Sequence, residues 1–138
     1  MDYRQMTAPC GIDCFNCGMY AARENDELRS RIAKNMNLSF EDAVCNGCRN
    51  QKGKCSAHSL IEACNVYKCI EKKGLNFCFE CADFPCDFLH PYADQASMRP
   101  HNTKVFNLCL MKKMGVDAWA ETKAKKVRDT YFKEKFKL

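Results

Sequence analysis

The sequence predicts a mainly α fold: a small cysteine-rich, metal-stabilised domain in which short helices join tight knuckles and a helical pair closes the chain. Three observations lead there. Twelve of the 138 residues are Cys, and all but Cys109 lie between positions 10 and 86. Several fall two or three residues apart beside Gly or Pro, as in Cys10-Gly-Ile-Asp-Cys14-Phe-Asn-Cys17-Gly and Cys45-Asn-Gly-Cys48. Apolar residues recur at spacings of three and four in the last third, whereas the alternation of a strand is weak everywhere. The length predicts one domain over residues 1–138, with a cysteine-rich part at 8–90 and C-terminal helices at 103–132.

Taken in order, the first cluster opens at Pro9, and a helix is predicted from Cys17 to Asn35. Met19, Leu28, Ile32 and Met36 form its apolar stripe. Ser39-Phe-Glu-Asp42 reads as the capped start of a short helix that runs into Cys45. Asn46-Gly47 supplies the positive φ that a knuckle needs. Residues 49–57 read as a loop, with Cys55 inside it. A helix is predicted over 59–73, or only after Cys64, and ends at Gly74 behind two lysines. Cys64 and Cys69 are five apart and do not share a helical face. Cys78-Phe-Glu-Cys81 is a further knuckle, and Pro85 opens a short helix over 86–93 that turns Phe88 and Leu89 inward.

A helix capped at Asn102 or Thr103 is predicted to run to Met114 and stop at Gly115. It would bury Phe106, Cys109, Leu110 and Met114. Asp117 caps the last helix, 118–132, marked by Trp119, Val127 and Tyr131, and the tail after Lys133 frays.

Compartment decides what the thiols do. The N-terminal residues carry Asp2, Arg4 and Gln5 with no apolar run, so no signal peptide is expected. No stretch approaches the roughly 20 apolar residues of a membrane span. The expected setting is the reducing cytoplasm, where clustered cysteines bind metal more often than they pair as disulfides. Zinc takes four N or S ligands in a tetrahedron, commonly from two knuckles. The predicted ligands are Cys10, Cys14, Cys17, Cys45, Cys48, Cys64, Cys69, Cys78, Cys81 and Cys86, holding two or more zinc ions. One grouping is Cys45, Cys48, Cys64 and Cys69, with a second set drawn from Cys10, Cys14, Cys17, Cys78, Cys81 and Cys86. His58 and His90 are lesser candidates, and Cys109 reads as a packing residue. Zinc would contribute on the order of 10 kcal/mol to folding, offsetting thin apolar patterning before residue 100.

The metals read as structural, since an all-cysteine site leaves no open position for catalysis. The alternative is an iron–sulfur or thiol redox protein. Cys10-x3-Cys14-x2-Cys17 has the radical-SAM spacing, but 138 residues without strand–helix alternation cannot build that barrel. The ferredoxin run ending in Cys-Pro is missing too, because here the proline precedes Cys86. Glu80 and Asp83 read as solvated or as supports for the knuckle, and His101 stands in the polar strip after Arg99.

The formal charge of +5 is uneven: residues 1–103 hold 12 Lys/Arg against 13 Asp/Glu, and residues 104–138 hold 10 against 4. A tetrathiolate zinc site carries about −2, so two such sites would leave the whole chain near neutrality. Nucleic-acid binding by the basic last helix (Lys123, Lys125, Lys126 and Arg128) is therefore a third reading. The first is an interaction or regulatory module with a protein partner.

The series Cys10-Gly-Ile-Asp-Cys14-x2-Cys17-x2-Tyr20, Cys45-x-Gly-Cys48, Cys64-x4-Cys69-x2-Lys72-Lys-Gly74 and Cys78-x2-Cys81-x2-Phe84-Pro85-Cys86 resembles a family of small cysteine-rich prokaryotic proteins. That family is known as domain of unknown function thirty-seven ninety-five. The resemblance covers residues 8–90, and the stretch from Asn107-Leu108 to Trp119 is similar to the segment beyond the cysteines in some relatives. It implies an intracellular zinc-binding protein of unassigned activity. The ten predicted ligands fall on the family's pattern; Cys55 and Cys109 do not.

Overall fold

Backbone hydrogen bonds between knuckles set the architecture of the cysteine-rich part. The computed structural model describes residues 1–55, 60–91 and 96–134. The Cys78 N–H donates to Pro9 O (3.0 Å), which brings the third knuckle beside the first. The Cys45 N–H donates to Met19 O (3.0 Å), tying the second knuckle to the chain just after Cys17. Gly53 donates to Cys48 O (2.8 Å) and accepts from the Cys64 N–H (3.1 Å), so one residue links two cysteine segments. Only glycine fits there: its φ is +76°, and a Cβ would lie 2.4 Å from Tyr67 Cβ.

The helices are short. One-turn helices α1 (Tyr3–Met6) and α2 (Gly18–Ala21) flank a 3₁₀ turn at Cys14–Asn16. Helix α3 covers Asp26–Met36. The expected helix from Cys17 is thus broken, because Asn25 enters the β region and its side chain caps the Leu28 N–H (2.8 Å). Met19 is buried as expected, but Met36 is exposed. The predicted helix after Ser39 is one turn: Ser39 Oγ accepts from the Asp42 N–H (3.1 Å), but the chain leaves the helical path before Cys45.

Helix α4 covers Asn65–Lys73, with Cys64 as its N-cap and Gly74 (φ 64°) as its C-cap. Beyond it lie 3₁₀ turns at Cys78–Glu80 and Asp87–Leu89. The second replaces the longer helix expected after Pro85, and it buries Leu89 while Phe88 stays 48% exposed. Residues 92–95, the end of that predicted helix, lie outside the described residues.

A 3₁₀ turn at Pro100–Thr103 leads into α5 (Lys104–Met114), which stops at Gly115 with φ 86°. Helix α6 (Val116–Trp119), a π-helical segment (Ala120–Ala124) and α7 (Lys125–Lys133) form one continuous rod. The apolar face predicted for α5 is corrected. Asn107, Leu108 and Met111 are buried, whereas Phe106 and Cys109 face solvent. Two apolar stripes compete on this helix, and tertiary packing selects the one that meets Gly11 and Phe77.

The core straddles both halves of the chain. Trp119, Leu108, Met111 and Val116 pack in one cluster with Cys10, Phe77, Cys78 and Leu89. Phe15 meets Trp119 edge-on at 6.0 Å. The thin apolar patterning before residue 100 does not leave the knuckles without an apolar interior, because the C-terminal helices bring one to them. Among the described residues no strand forms, and one antiparallel bridge joins Cys55 to Leu60. Among these residues, too, no helix is long and apolar enough to cross a membrane.

Candidate metal centre

The thiols collect in three neighbourhoods. In the first, Cys48 faces Cys10, Cys14 and Cys64, close enough that charge on any of them opposes its ionisation. Cys10 faces Cys64, and Cys14 faces Cys10. Four separate segments thus converge: the turn after Pro9, the 3₁₀ turn, the second knuckle and the N-cap of α4. The Cys48 N–H points at the Cys14 sulfur, and the Tyr67 N–H at the Cys64 sulfur (3.4 Å).

Burial dominates the chemistry of this group. It pushes the Cys14 thiol up to about 12, with the Cys48 N–H pulling it back and Cys10, Cys45 and Cys17 adding to the rise. Cys48 is raised by burial and by the three facing thiols. Cys10 is raised by burial, though Lys104 holds it down. With no cation among them, Cys10, Cys14 and Cys48 keep their protons.

In the second neighbourhood Cys78 faces Cys69, Cys81 and Cys86. The four line a cavity of about 280 Å³ closed by Val66, Ile70, Phe84 and Leu89. Burial, then the charges of Cys10, Cys86, Cys69 and Cys81, push Cys78 up to about 12. Lys73 donates to Cys81 Sγ (3.1 Å) and to Asp83 Oδ2 (2.7 Å). Lys73 is held above its ordinary value first by Asp83 and then by Cys81. Asp83 thus positions the lysine, while Glu80 accepts from the Asn76 and Phe77 N–H groups (2.8 and 3.1 Å) and shapes the knuckle.

The third neighbourhood packs Cys17, Cys45 and Cys55 with Met19. A hydrogen bond from Cys55 draws Cys45 down to about 6, helped by the Gly47 N–H and Arg23. Gln51 Oε1 lies 3.0 Å from Cys45 Sγ.

All ten predicted ligands therefore lie in one or another neighbourhood, but not in the expected sets. Cys45, Cys48, Cys64 and Cys69 are spread over all three. The Asn46-Gly47 turn between Cys45 and Cys48 has φ 88° at Gly47. Cys64 caps α4 while Cys69 lies on its body, a half-turn away. Among the described residues no three Cys, His, Asp or Glu side chains already converge at ligand distance.

Other candidates stand apart. His90 is exposed beside Pro91 O (3.0 Å), and Cys109 is exposed on α5 instead of buried. His58 lies outside the described residues. Cys55, outside the ten predicted ligands, is 8% exposed at the bridge to Leu60. The basic last helix commits Arg128 to Asp13 (2.8 Å), and Lys125 and Lys133 to Asp129 (2.8 and 3.1 Å).

Fold and thiol clusters define a class: small, mainly helical proteins whose cysteines gather from distant segments. Residues 6–91, more than half of the chain, match the family described as protein of unknown function DUF3795, and the chain belongs to that family. The match stops short of α5, although α5 and α6 supply much of the core around the clusters. No curated protein and no solved structure matches the chain.

Proposed function

We propose that this protein binds zinc at two all-cysteine sites, Cys10/Cys14/Cys48/Cys64 and Cys69/Cys78/Cys81/Cys86. The ions are structural, and the folded unit is a cytoplasmic interaction or regulatory module. One observation supports the reading: Cys10, Cys14 and Cys64, one buried and two partly buried, lie close enough to partly buried Cys48 for their charges to oppose its ionisation. Such a set can ionise together only with a cation among it, since each sulfur opposes ionisation of the next. An all-sulfur donor set suits zinc or an iron–sulfur cluster and does not suit calcium or magnesium. Zinc displaces the four protons and supplies folding energy on the order of 10 kcal/mol.

A second reading is favoured at the second site alone. The 280 Å³ cavity among its four cysteines is larger than one ion needs, and Lys73 offers a hydrogen bond to sulfur of the kind that tunes an iron–sulfur cluster. Elemental analysis of protein purified without added metal separates the two. Zinc and a colourless solution support the first reading. Iron, with visible absorption that dithionite bleaches, supports the second. Metal-free protein that keeps its fold after its thiols are alkylated would overturn both.

A further inference from the structure

We propose that Arg4 and Arg49 form a binding site for a phosphate group. The two guanidiniums share a cavity of about 170 Å³ with Asp2, Gln5, Asn76 and Phe77. Three segments meet there: α1, the residue after the second knuckle and the pair of residues before Cys78. Arg49 is held from two sides. Its Nε donates to Thr7 O (2.9 Å) and its Nη2 to Asn76 O (2.7 Å), and its guanidinium lies over the Phe77 ring, 4.8 Å from the centroid. Arg4 lies over the same ring at 5.5 Å, and Gln5 beside it is tied to Asn50 (3.1 Å). The site uses none of the cysteines and does not depend on the zinc reading.

Two like charges are thus set over one fully buried ring, and among the described residues neither forms an ion pair. Two carboxylates stand near by, and both are engaged by backbone. Glu80 accepts from the Asn76 and Phe77 N–H groups, and Asp2 accepts from the Gln5 N–H (3.1 Å). Burial is the main influence against the charge on Arg49, and Arg4 adds to it. An anion between the two guanidiniums relieves that repulsion. Arg49 spends N–H groups on two carbonyls, which leaves its remaining donors and the fork of Arg4 for a ligand. Phosphate is the matching class: its charge of about −1.5 to −2 at neutral pH answers two cations, and its oxygens accept paired N–H bonds from each. A carboxylate brings one charge and two oxygens. The cavity is smaller than the roughly 300–1,000 Å³ that a drug-sized ligand takes, so it holds the phosphate group and leaves the rest of any carrier molecule outside.

The test is equilibrium dialysis of the intact chain, as purified, against labelled inorganic phosphate at low ionic strength. The expected result is saturable binding of one phosphate per chain. Arg4 is exposed and holds no other segment, so Arg4→Ala keeps the fold. It should weaken binding by about tenfold or more, as loss of a charged hydrogen-bond donor does. The double change Lys123→Ala and Lys126→Ala, on the basic C-terminal rod, should leave binding unchanged. Acetate should compete at least about tenfold less well than unlabelled phosphate, since it offers one charge to two cations. Glycerol phosphate that competes better than phosphate assigns the site to a phosphorylated small molecule, and the reverse order assigns it to the free ion. Absence of saturable binding, an unchanged affinity in Arg4→Ala, loss through the lysine changes instead, or acetate competing as well as phosphate would each overturn the site.

Discussion

Lys73 and Asp13 show how single side chains hold the thiol clusters in place. Lys73, beside the proposed second site, is bonded to Cys81 and braced by Asp83. Replacing it by Ala should weaken metal retention at that site by roughly tenfold, as loss of a supporting group commonly does. Chelator competition, read separately for each site, checks this, and equal weakening at the first site would refute it. Asp13 is almost fully buried and bonded to Arg128 (2.8 Å) and Asn16 (2.9 Å). Burial nonetheless raises its carboxyl above the ordinary value, so desolvation outweighs the pull of Arg128. The pair is therefore weak as a source of stability and costly to break from one side. Asp13→Ala, which strands Arg128, should destabilise the zinc-loaded protein by about 3 kcal/mol in denaturant titration. Asp13→Asn should cost less because its one amide oxygen can still accept from Arg128, although the bond from the Asn16 amide is lost.

Among elements, the contact between the first knuckle and α5 decides the most. Gly11 sits at φ +90°, and a Cβ there would lie 2.7 Å from Lys104 O and 2.9 Å from Leu108 Cγ. Asn107 donates to Gly11 O (2.9 Å) and accepts from Trp119 Nε1 (3.4 Å), so knuckle, α5 and α6 share one buried network. Gly11→Ala combines backbone strain with a clash against a carbonyl and should destabilise by about 2 kcal/mol or more. A midpoint shift in urea unfolding measures it, and an unchanged midpoint would refute the packing account. The elements are unevenly legible in sequence. The stops at Gly74 and Gly115 can be read because glycine past a helix end is a local signal. The break at Asn25 is equally local, but its cap is masked by the helix-compatible residues on either side. The α5 face cannot be read: Phe106 and Leu108 are alike in sequence, and only the neighbours bury one and expose the other.

Across the whole molecule, metal and apolar core are expected to act together. At neutral pH the metal-free Cys14 and Cys78 thiols keep their protons, since both are pushed up to about 12. On the zinc reading, binding must then release the protons of these two thiols, and affinity must fall as pH falls. A weakly buffered titration with a pH indicator checks the sign, and uptake of protons would contradict it. Trp119 is fully buried between the halves. Trp119→Ala should cost about 4 kcal/mol even in the zinc-loaded protein. A cost near zero would mean that the thiol clusters fold without α5 and α6.

The sequence by itself determined the helical class, the clustering of the cysteines along the chain, the glycine stops and the thiol chemistry on offer, because each depends on residue type and spacing within a few positions. Only the tertiary structure decided which sulfurs face one another, that Cys55 joins them and that Cys109 does not. A two-residue gap says how far apart two thiols are along the chain. The direction each one points is set by the φ of Gly47, the cap at Cys64 and the backbone bonds that draw distant loops together.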